Sequence, residues 1–124
     1  MKPLCISFSG GKTSGYMTHL LLEEYRGTRD IVTVFANTGQ EQEATLDFVN
    51  RCDRELGFNV IWLEAVVDPR PNVGTTFKQV TYETASRCGE PYEAVVKKYG
   101  IPNLAFPHCT RELKQRPITK YLRM

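Results

Sequence analysis

Short apolar runs alternate with amphipathic segments in the first half of the chain, and this alternation limits the fold more than any other feature. The runs of strand length are residues 4–9, 31–36 and 59–64. The segments between them, with apolar side chains at helical spacing, are residues 13–25 and 43–56. Because strands and helices alternate, the sequence predicts an α/β fold with a mostly parallel sheet and helices on both faces.

The second half of the chain is less regular. Residues 77–82 suggest a further short strand, and residues 91–99 predict a helix that Gly100 closes. Thr110 can cap a short helix, and Pro117 can open another. Since 124 residues suit one modest core, a single domain over residues 1–124 is expected.

Side-chain burial is also predicted from these patterns. Met17, Leu20 and Leu21 are expected to face the core from the first helix, and Trp62 to be buried in its strand.

Composition excludes several classes of protein. Apolar residues make up 41% and charged residues 24% of the chain, as in ordinary soluble domains. No apolar run approaches the roughly 18 residues of a membrane span, and the N-terminus lacks a secretory layout. We therefore expect a cytoplasmic protein that binds neither a membrane nor a nucleic acid.

The cysteines are too widely spaced for the common metal and redox motifs. They are Cys5, Cys52, Cys88 and Cys109. No pair forms C-x-x-C, so a zinc ribbon, a thioredoxin-type pair and a tight iron–sulfur ligand set lack support. We expect reduced thiols, with Cys52 on an apolar helix face and Cys88 exposed.

Charge is unevenly distributed along the chain. Residues 1–69 carry six Lys/Arg against ten Asp/Glu, whereas residues 70–124 carry ten against four. The basic half is consistent with an anionic ligand held there, and equally with simple attraction between the two halves.

The glycine-rich turn SGGKTS, at residues 9–14, follows the first predicted strand. A Walker A loop would need a glycine where Ile6 stands, and the glycine spacing does not match a dinucleotide fingerprint. Gly10 and Gly11 nevertheless let backbone N–H groups converge at the start of a helix, with Lys12 adding a charge. The hydroxyl donors are Ser9, Thr13 and Ser14. The turn therefore predicts an oxyanion site; the alternative is a strand-to-helix turn with an ordinary cap.

Two further polar segments are candidates for the same site. Asn37, Thr38 and Gly39 follow the second strand, and parallel strands place ligands at their carboxyl ends. Arg111 and Lys114 are three residues apart, so in an α-helix they would face one way and could grip an anion. A solvated basic helix end is the alternative.

These motifs resemble those of the adenine nucleotide α-hydrolase superfamily, whose pyrophosphate (PP) loop reads S-G-G-x-D-S. The superfamily includes ATP pyrophosphatases and phosphoadenosine phosphosulfate (PAPS) reductases. The chain most resembles the PAPS-reductase-like proteins that are often encoded by phages. Asn37-Thr38-Gly39 is similar to the family's D-T-G, and residues 109–117 are similar to its C-T-x-x-L-K-x-x-P segment. Thr13 stands where ATP-cleaving members carry aspartate.

The resemblance implies an adenine nucleotide ligand: PAPS, APS, ATP or AMP. The first implied activity is oxidoreductase chemistry, in which a thiol reduces a sulfonucleotide. The thiol would be Cys109 or an external thioredoxin-type reductant. An ATP pyrophosphatase that adenylates a substrate, with Mg²⁺, is one alternative, and a non-catalytic nucleotide-binding module is the other. A phage-encoded member would act in the host cytoplasm, and a homo-oligomer is compatible with the family.

The chain also departs from the reductases it resembles. It lacks their E-C-G-x-H segment and their paired cysteines, so no iron–sulfur cluster is expected. It ends soon after the basic segment, where relatives continue, which indicates a trimmed sequence or a compact form. Cys109 lies beside His108 and before a predicted helix start, and both can lower a thiol pKa, so it is a candidate nucleophile. A packing thiol is the alternative.

Overall fold

The computed structural model of the chain describes residues 3–39, 41–71, 73–99 and 111–123. The strands are β1 (Leu4–Ser7), β2 (Ile31–Asn37), β3 (Val60–Val66) and β4 (Thr76–Val80). The α-helices are α1 (Lys12–Tyr25), α2 (Glu43–Leu56), α3 (Glu90–Tyr99) and α4 (Arg116–Leu122). A π-helical segment, Arg111–Gln115, leads directly into α4.

The strands form one sheet in the order β1-β2-β3-β4. β1 and β2 are parallel, with Leu4 opposite Ile31 and Ser7 opposite Val34. The connection between them is α1, as a parallel pair requires. β4 runs antiparallel to β3, with Trp62 opposite Val80. The α/β class and the mostly parallel sheet predicted from the sequence are confirmed.

The chain divides into two compact units. Unit 1 comprises Met1–Phe35 and Gln42–Ile61, and unit 2 comprises Ala36–Glu41 and Trp62–Met124. Both β2 and β3 pass from one unit into the other along the chain. The prediction of a single domain over residues 1–124 stays a prediction.

Phe8 is at the centre of the core of unit 1. It is 1% exposed and packs edge-on against Phe48 and Phe58, with ring centroids 6.3 and 5.6 Å away. Gly15 of α1 lies directly beside Phe48. A Cβ at Gly15 would be 3.1 Å from the Phe48 ring. The helix therefore approaches this core through a residue without a side chain.

The predicted apolar face of α1 is wrong. Met17 and Leu20 are 44% and 45% exposed, and Leu21 is half-buried. The buried residues of α1 are Gly15, Thr18 and Leu22. The spacing of apolar residues predicts that the larger side chains of α1 are buried. The close approach at Gly15 instead turns a neighbouring face of the helix towards the core.

Unit 2 has its own apolar cluster. Ala65, Val95 and Leu113 are buried together, and Tyr92 and Tyr99 pack against them. This cluster joins β3, α3 and the π-helical segment. Trp62 is 4% exposed, so its predicted place in the core is confirmed.

Local signals placed most element ends within two residues. α2 has the predicted bounds, and Gly57 ends it in the left-handed conformation at φ +67°. Asn59 also has a positive φ, of 54°, and β3 begins one residue later. Within the described ranges, no helix is both long and apolar enough to cross a membrane.

Candidate anion-binding site

The glycine loop, residues 9–14, links β1 to α1 and is open to solvent. Ser9, Gly11, Lys12 and Thr13 are exposed, Ser14 is half-buried, and Gly10 is buried. α1 begins at Lys12, so the predicted helix start at residue 13 is one residue late. Because most of the loop faces outward, a ligand can reach it.

Gly10 is required by the geometry of this loop. Its φ is +84°, a conformation that side-chain-bearing residues rarely adopt. A Cβ would lie 2.8 Å from Thr45 Cγ2 and 3.2 Å from Val49 Cγ2, so α2 leaves no space for one. The turn is thus held close against α2 while the residues after Gly10 face solvent.

Among the residues that the structure describes, no side-chain hydrogen bond caps the start of α1. The first helical hydrogen bond runs from Gly15 N–H to Gly11 O, at 2.9 Å. The N–H groups of the preceding turn have no acceptor within the helix. Gly11 occupies the N-cap position and offers no side-chain acceptor. These donors, at the positive end of the helix dipole, are suited to a phosphate or sulfate oxygen.

The hydroxyl and ammonium groups of the loop complete this arrangement. Ser14 Oγ accepts a hydrogen bond from Ser9 N at 3.1 Å, which folds the loop back on itself. Because Ser14 Oγ only accepts in this bond, its hydroxyl proton can still be donated to a ligand oxygen. Lys12 is exposed, and no carboxylate in the described residues pairs with it. Lys12 therefore adds a positive charge that an anion can use.

A cleft adjoins the loop. Its volume is about 510 Å³, within the usual range for small-molecule sites. Gly10, Gly11 and Lys12 line one side, and α2 lines the other, including the Phe48 ring.

The Asn37–Thr38–Gly39 turn belongs to unit 2 and is buried throughout. Asn37 is 0% exposed; its Nδ2 donates to Glu64 Oε2 and to Ser86 O, at 2.8 and 2.9 Å. Asn37 Oδ1 accepts from Gly39 N at 3.2 Å. The polar atoms of Asn37 are therefore engaged inside the protein, and Asn37 holds the turn in place.

Gly39 packs as closely as Gly10 does. Its φ is +82°, and a Cβ would lie 3.0 Å from Gly89 Cα and from Pro91 Cδ. Tyr92 N–H also donates to Thr38 O, at 3.3 Å. The turn is thus tied to the start of α3.

Glu64 is the centre of the polar cluster around Asn37. Its side chain is 0% exposed and accepts from Ser86 N at 2.5 Å and from Ser86 Oγ at 2.8 Å. Lys78 Nζ is 3.9 Å from Glu64 Oε1. Sequence reasoning missed this role, although a glutamate inside the apolar run IWLEAVV is a visible signal that a buried partner is needed.

A second buried carboxylate, Glu112, anchors the π-helical segment. It is 0% exposed, accepts from Thr75 Oγ1 at 3.0 Å, and pairs with Arg116 Nε at 2.9 Å. The hydrogen bond from Tyr99 to Glu112 raises the pKa of Tyr99, and burial and the charge of Glu112 raise it further. Sequence reasoning also missed this residue, which lies within the basic motif between Arg111 and Lys114.

The basic segment differs from the predicted geometry. Arg111 and Lys114 lie in a π-helical rather than an α-helical turn. The hydrogen bonds of a π-helix span five residues, so the α-helical rule that groups residues three apart does not apply to this segment. Lys114 is half-buried, and π-helical turns are frequent at functional sites. Anion binding by Arg111 and Lys114 stays a prediction, and Cys109 and His108 lie outside the described residues.

Comparison with known proteins gives a family match over nearly the whole chain. The model of the phosphoadenosine phosphosulfate reductase domain matches residues 3–123. A protein of the nin region of Escherichia phage lambda is 34% identical over 119 residues, covering 94% of this chain and 41% of the phage protein. A protein of Methanocaldococcus jannaschii is 31% identical over 121 residues, covering 98% of this chain and 20% of that protein. Both relatives are described as uncharacterised, and this chain spans less than half the length of either. No solved structure matches.

Proposed function

This chain belongs to the phosphoadenosine phosphosulfate reductase domain family, and on that premise we propose that it binds an adenine nucleotide through the glycine loop. The membership confirms the resemblance that the motifs indicated. The proposal rests on the hydrogen bonding, charge and exposure of the glycine loop. Its backbone donors lack acceptors in the helix, Lys12 has no carboxylate partner in the described residues, and solvent reaches both.

The anion would be the phosphate or sulfate end of the nucleotide. Gly10 to Ser14 would surround it with N–H and hydroxyl donors, and Lys12 would supply the charge. An ordinary capped turn would have satisfied these donors with a side chain, whereas Gly11 at the N-cap position cannot. The loop is therefore better suited to a ligand than to closing a helix.

The reaction that we propose is reduction of a sulfonucleotide by thiols. A thiolate attacks the sulfur of the nucleotide-bound sulfate, an S–S bond forms, and the S–O bond breaks as the nucleotide leaves with the electron pair. A second thiolate then attacks the thiol sulfur of this adduct, a disulfide forms, and sulfite leaves. Sulfur gains two electrons and the two thiols lose two. Cys109 and an external dithiol are the candidate sources of the thiols.

In this reaction the chain's own groups would stabilise negative charge. Donors at the nucleotide phosphate stabilise the leaving group as its negative charge grows. The hydroxyl of Thr13 cannot supply the metal-binding carboxylate of the ATP-cleaving relatives. Among the described residues, there is no cluster of three or more His, Cys, Asp or Glu side chains suited to a metal ion.

Calorimetric titration with AMP, APS, PAPS and ATP tests nucleotide binding. Lys12→Ala should weaken binding about tenfold or more, because a charge-assisted hydrogen bond contributes about 1.5–3 kcal/mol. Lys97→Ala is the matched control, since Lys97 is an exposed lysine of α3 that pairs with Glu93. Unchanged affinity in Lys12→Ala would remove the glycine loop as the site.

The products identify the activity. Sulfite released from APS or PAPS in the presence of dithiol supports reduction. AMP and pyrophosphate released from ATP would instead indicate a pyrophosphatase, and tight binding of an unchanged nucleotide would indicate a non-catalytic module.

A further inference from the structure

The outer face of α1 is apolar, although the outer face of a surface helix is usually polar. Tyr16, Met17 and Leu20 are 65%, 44% and 45% exposed. Their spacings of three and four residues place them side by side, away from the fully buried Thr18. Because large apolar side chains that are exposed together mark interaction sites, this face is suited to a protein partner.

An apolar groove continues this face towards α2. Its volume is about 220 Å³, which is below the usual range for small-molecule sites. Tyr16 and His19 of α1 line one side, and Phe48 and Leu56 of α2 line the other. Leu56 is itself 49% exposed. All of these residues belong to unit 1, so the groove and the outer face of α1 form one surface.

The charges at the two ends of α1 indicate which partner fits. Lys12, Tyr16, Leu20 and Glu24 follow one another at intervals of four residues and form one ridge, which we call the α1 ridge. Lys12 lies at the positive end of the helix dipole and Glu24 near its negative end, the reverse of what an isolated helix favours. Among the described residues, neither charge has an ion-pair partner. A second α1 ridge that runs in the opposite direction would pair both charges.

We propose that two copies of this chain associate through antiparallel α1 ridges, and that this association competes with the anionic ligand for Lys12. A twofold axis midway along the ridge brings Lys12 of each copy opposite Glu24 of the other. The same axis brings Tyr16 opposite Leu20, so one set of contacts serves both copies. The association stands on the geometry of α1 alone, whereas the competition rests on the proposed function.

The apolar and charged parts of the ridge have different effects. Burial of the apolar side chains supplies affinity, and the charges at the two ends fix the direction of the helices. Lys12 is also the cation of the glycine loop, so an ion pair with a second copy and a contact with a bound anion exclude each other. By linkage, ligand binding weakens association by the same factor by which association weakens ligand binding.

Analytical ultracentrifugation of the whole chain without nucleotide tests the association. We expect a reversible monomer–dimer equilibrium, which Leu20→Glu weakens about tenfold or more because it would bury an unpaired charge. Leu122→Glu is the matched control, since Leu122 is also 45% exposed but lies in unit 2, and it should associate as the unaltered chain does. A chain that stays monomeric, or an equal loss in both variants, would overturn the inference and leave this face to a different protein.

Exchange of the two charges tests the direction of the helices. Glu24→Lys places like charges opposite each other at both ends of the ridge and should weaken association about fivefold or more. Lys12→Glu added to the same chain restores two opposite pairs, so the double variant should associate within about twofold of the unaltered chain. A double variant as weak as Glu24→Lys alone would refute the antiparallel arrangement.

AMP tests the competition for Lys12. Saturating AMP should shift the equilibrium towards the monomer, and Leu20→Glu should bind AMP at least as tightly as the unaltered chain does. Calorimetric binding of AMP without any effect on association would remove Lys12 from the interface and overturn the inference. Absence of AMP binding would instead refute the proposed function, and the association measured without nucleotide would still be decided by the Leu20 and Glu24 variants.

Discussion

The glycine loop and the Glu64 cluster use similar polar residues in opposite ways. The loop leaves Ser9, Gly11, Lys12 and Thr13 exposed, with backbone donors that have no helical acceptor. The cluster buries Asn37 and Glu64 completely and joins them to Ser86 by hydrogen bonds of 2.5–2.9 Å. Polar groups without an internal partner are suited to binding a ligand, whereas satisfied ones hold the backbone in place. This difference can be tested by substitutions in each region.

The largest expected effect is on stability at the Glu64 cluster. Glu64→Ala should lower the free energy of unfolding by about 3–5 kcal/mol, because it leaves buried donors without an acceptor and opens a cavity. Urea denaturation measures this loss. Glu64→Gln keeps the shape and one acceptor oxygen, so it should lose less. A loss below about 1 kcal/mol in Glu64→Ala would show that the cluster does not hold the fold.

The next effect separates the two glycines of the loop. Gly10→Ala should lower the free energy of unfolding by about 2–4 kcal/mol, because it combines a positive φ with a clash against α2. Gly11→Ala should change it by less than about 0.5 kcal/mol, since its φ is −89° and the nearest atom to an added Cβ is 3.7 Å away. Thermal unfolding of the two variants provides the measurement. Equal losses would show that Gly10 is not held against α2.

A smaller loss is expected at the second buried carboxylate. Thr75→Val removes the hydrogen bond to Glu112 Oε1 without a large change of shape. The free energy of unfolding should fall by about 1.5–3 kcal/mol, the range for a hydrogen bond to a charged group. Thr84→Val in the exposed 81–84 turn is the comparison, and it should lose less because water can replace its bonds. Urea denaturation of both variants tests this order, and a reversed order would contradict the role of Glu112 as an anchor.

The smallest effect concerns reactivity rather than stability. Burial raises the pKa of Cys5 and of Cys52, although the charge of Arg51 partly lowers that of Cys52. Because the thiolate is the reactive form, both should react slowly with iodoacetamide near neutral pH, and faster as the pH rises. Cys88 is exposed and should react first. Mass spectrometry of a Cys109→Ser variant measures this order, and faster labelling of Cys52 than of Cys88 would contradict it.

Sequence patterns predicted the fold better than they predicted the environment of each side chain. The β1–α1–β2–α2–β3 order follows from local signals such as the β-branched run of β2 and Gly57 at the end of α2. Apolar spacing could not identify the buried face of α1, because that face is set by the contact between Gly15 and Phe48. The antiparallel direction of β4 also depends on tertiary pairing, which no local pattern encodes.

The candidate site was likewise only partly predictable. The exposure of residues 11–13 agrees with the anion-binding interpretation of SGGKTS, which remains a prediction. The same reasoning grouped Asn37 with the ligand side, and that assignment stays a prediction, but it could not indicate that Asn37 is buried, because a polar residue after a strand looks alike in sequence whether it is exposed or buried. Its bond to Glu64 joins residues 27 positions apart, which sequence proximity cannot reveal.

The contact of Gly10 with Thr45 and Val49 has a dynamic consequence. Because these side chains leave no room between loop and helix, neither can loosen without displacing the other. Anything that restrains the loop therefore also damps opening of α2, and the slowed exchange of its amide hydrogens would spread along the helix. Amide hydrogen exchange in α2 should thus report whether a ligand is bound at the glycine loop.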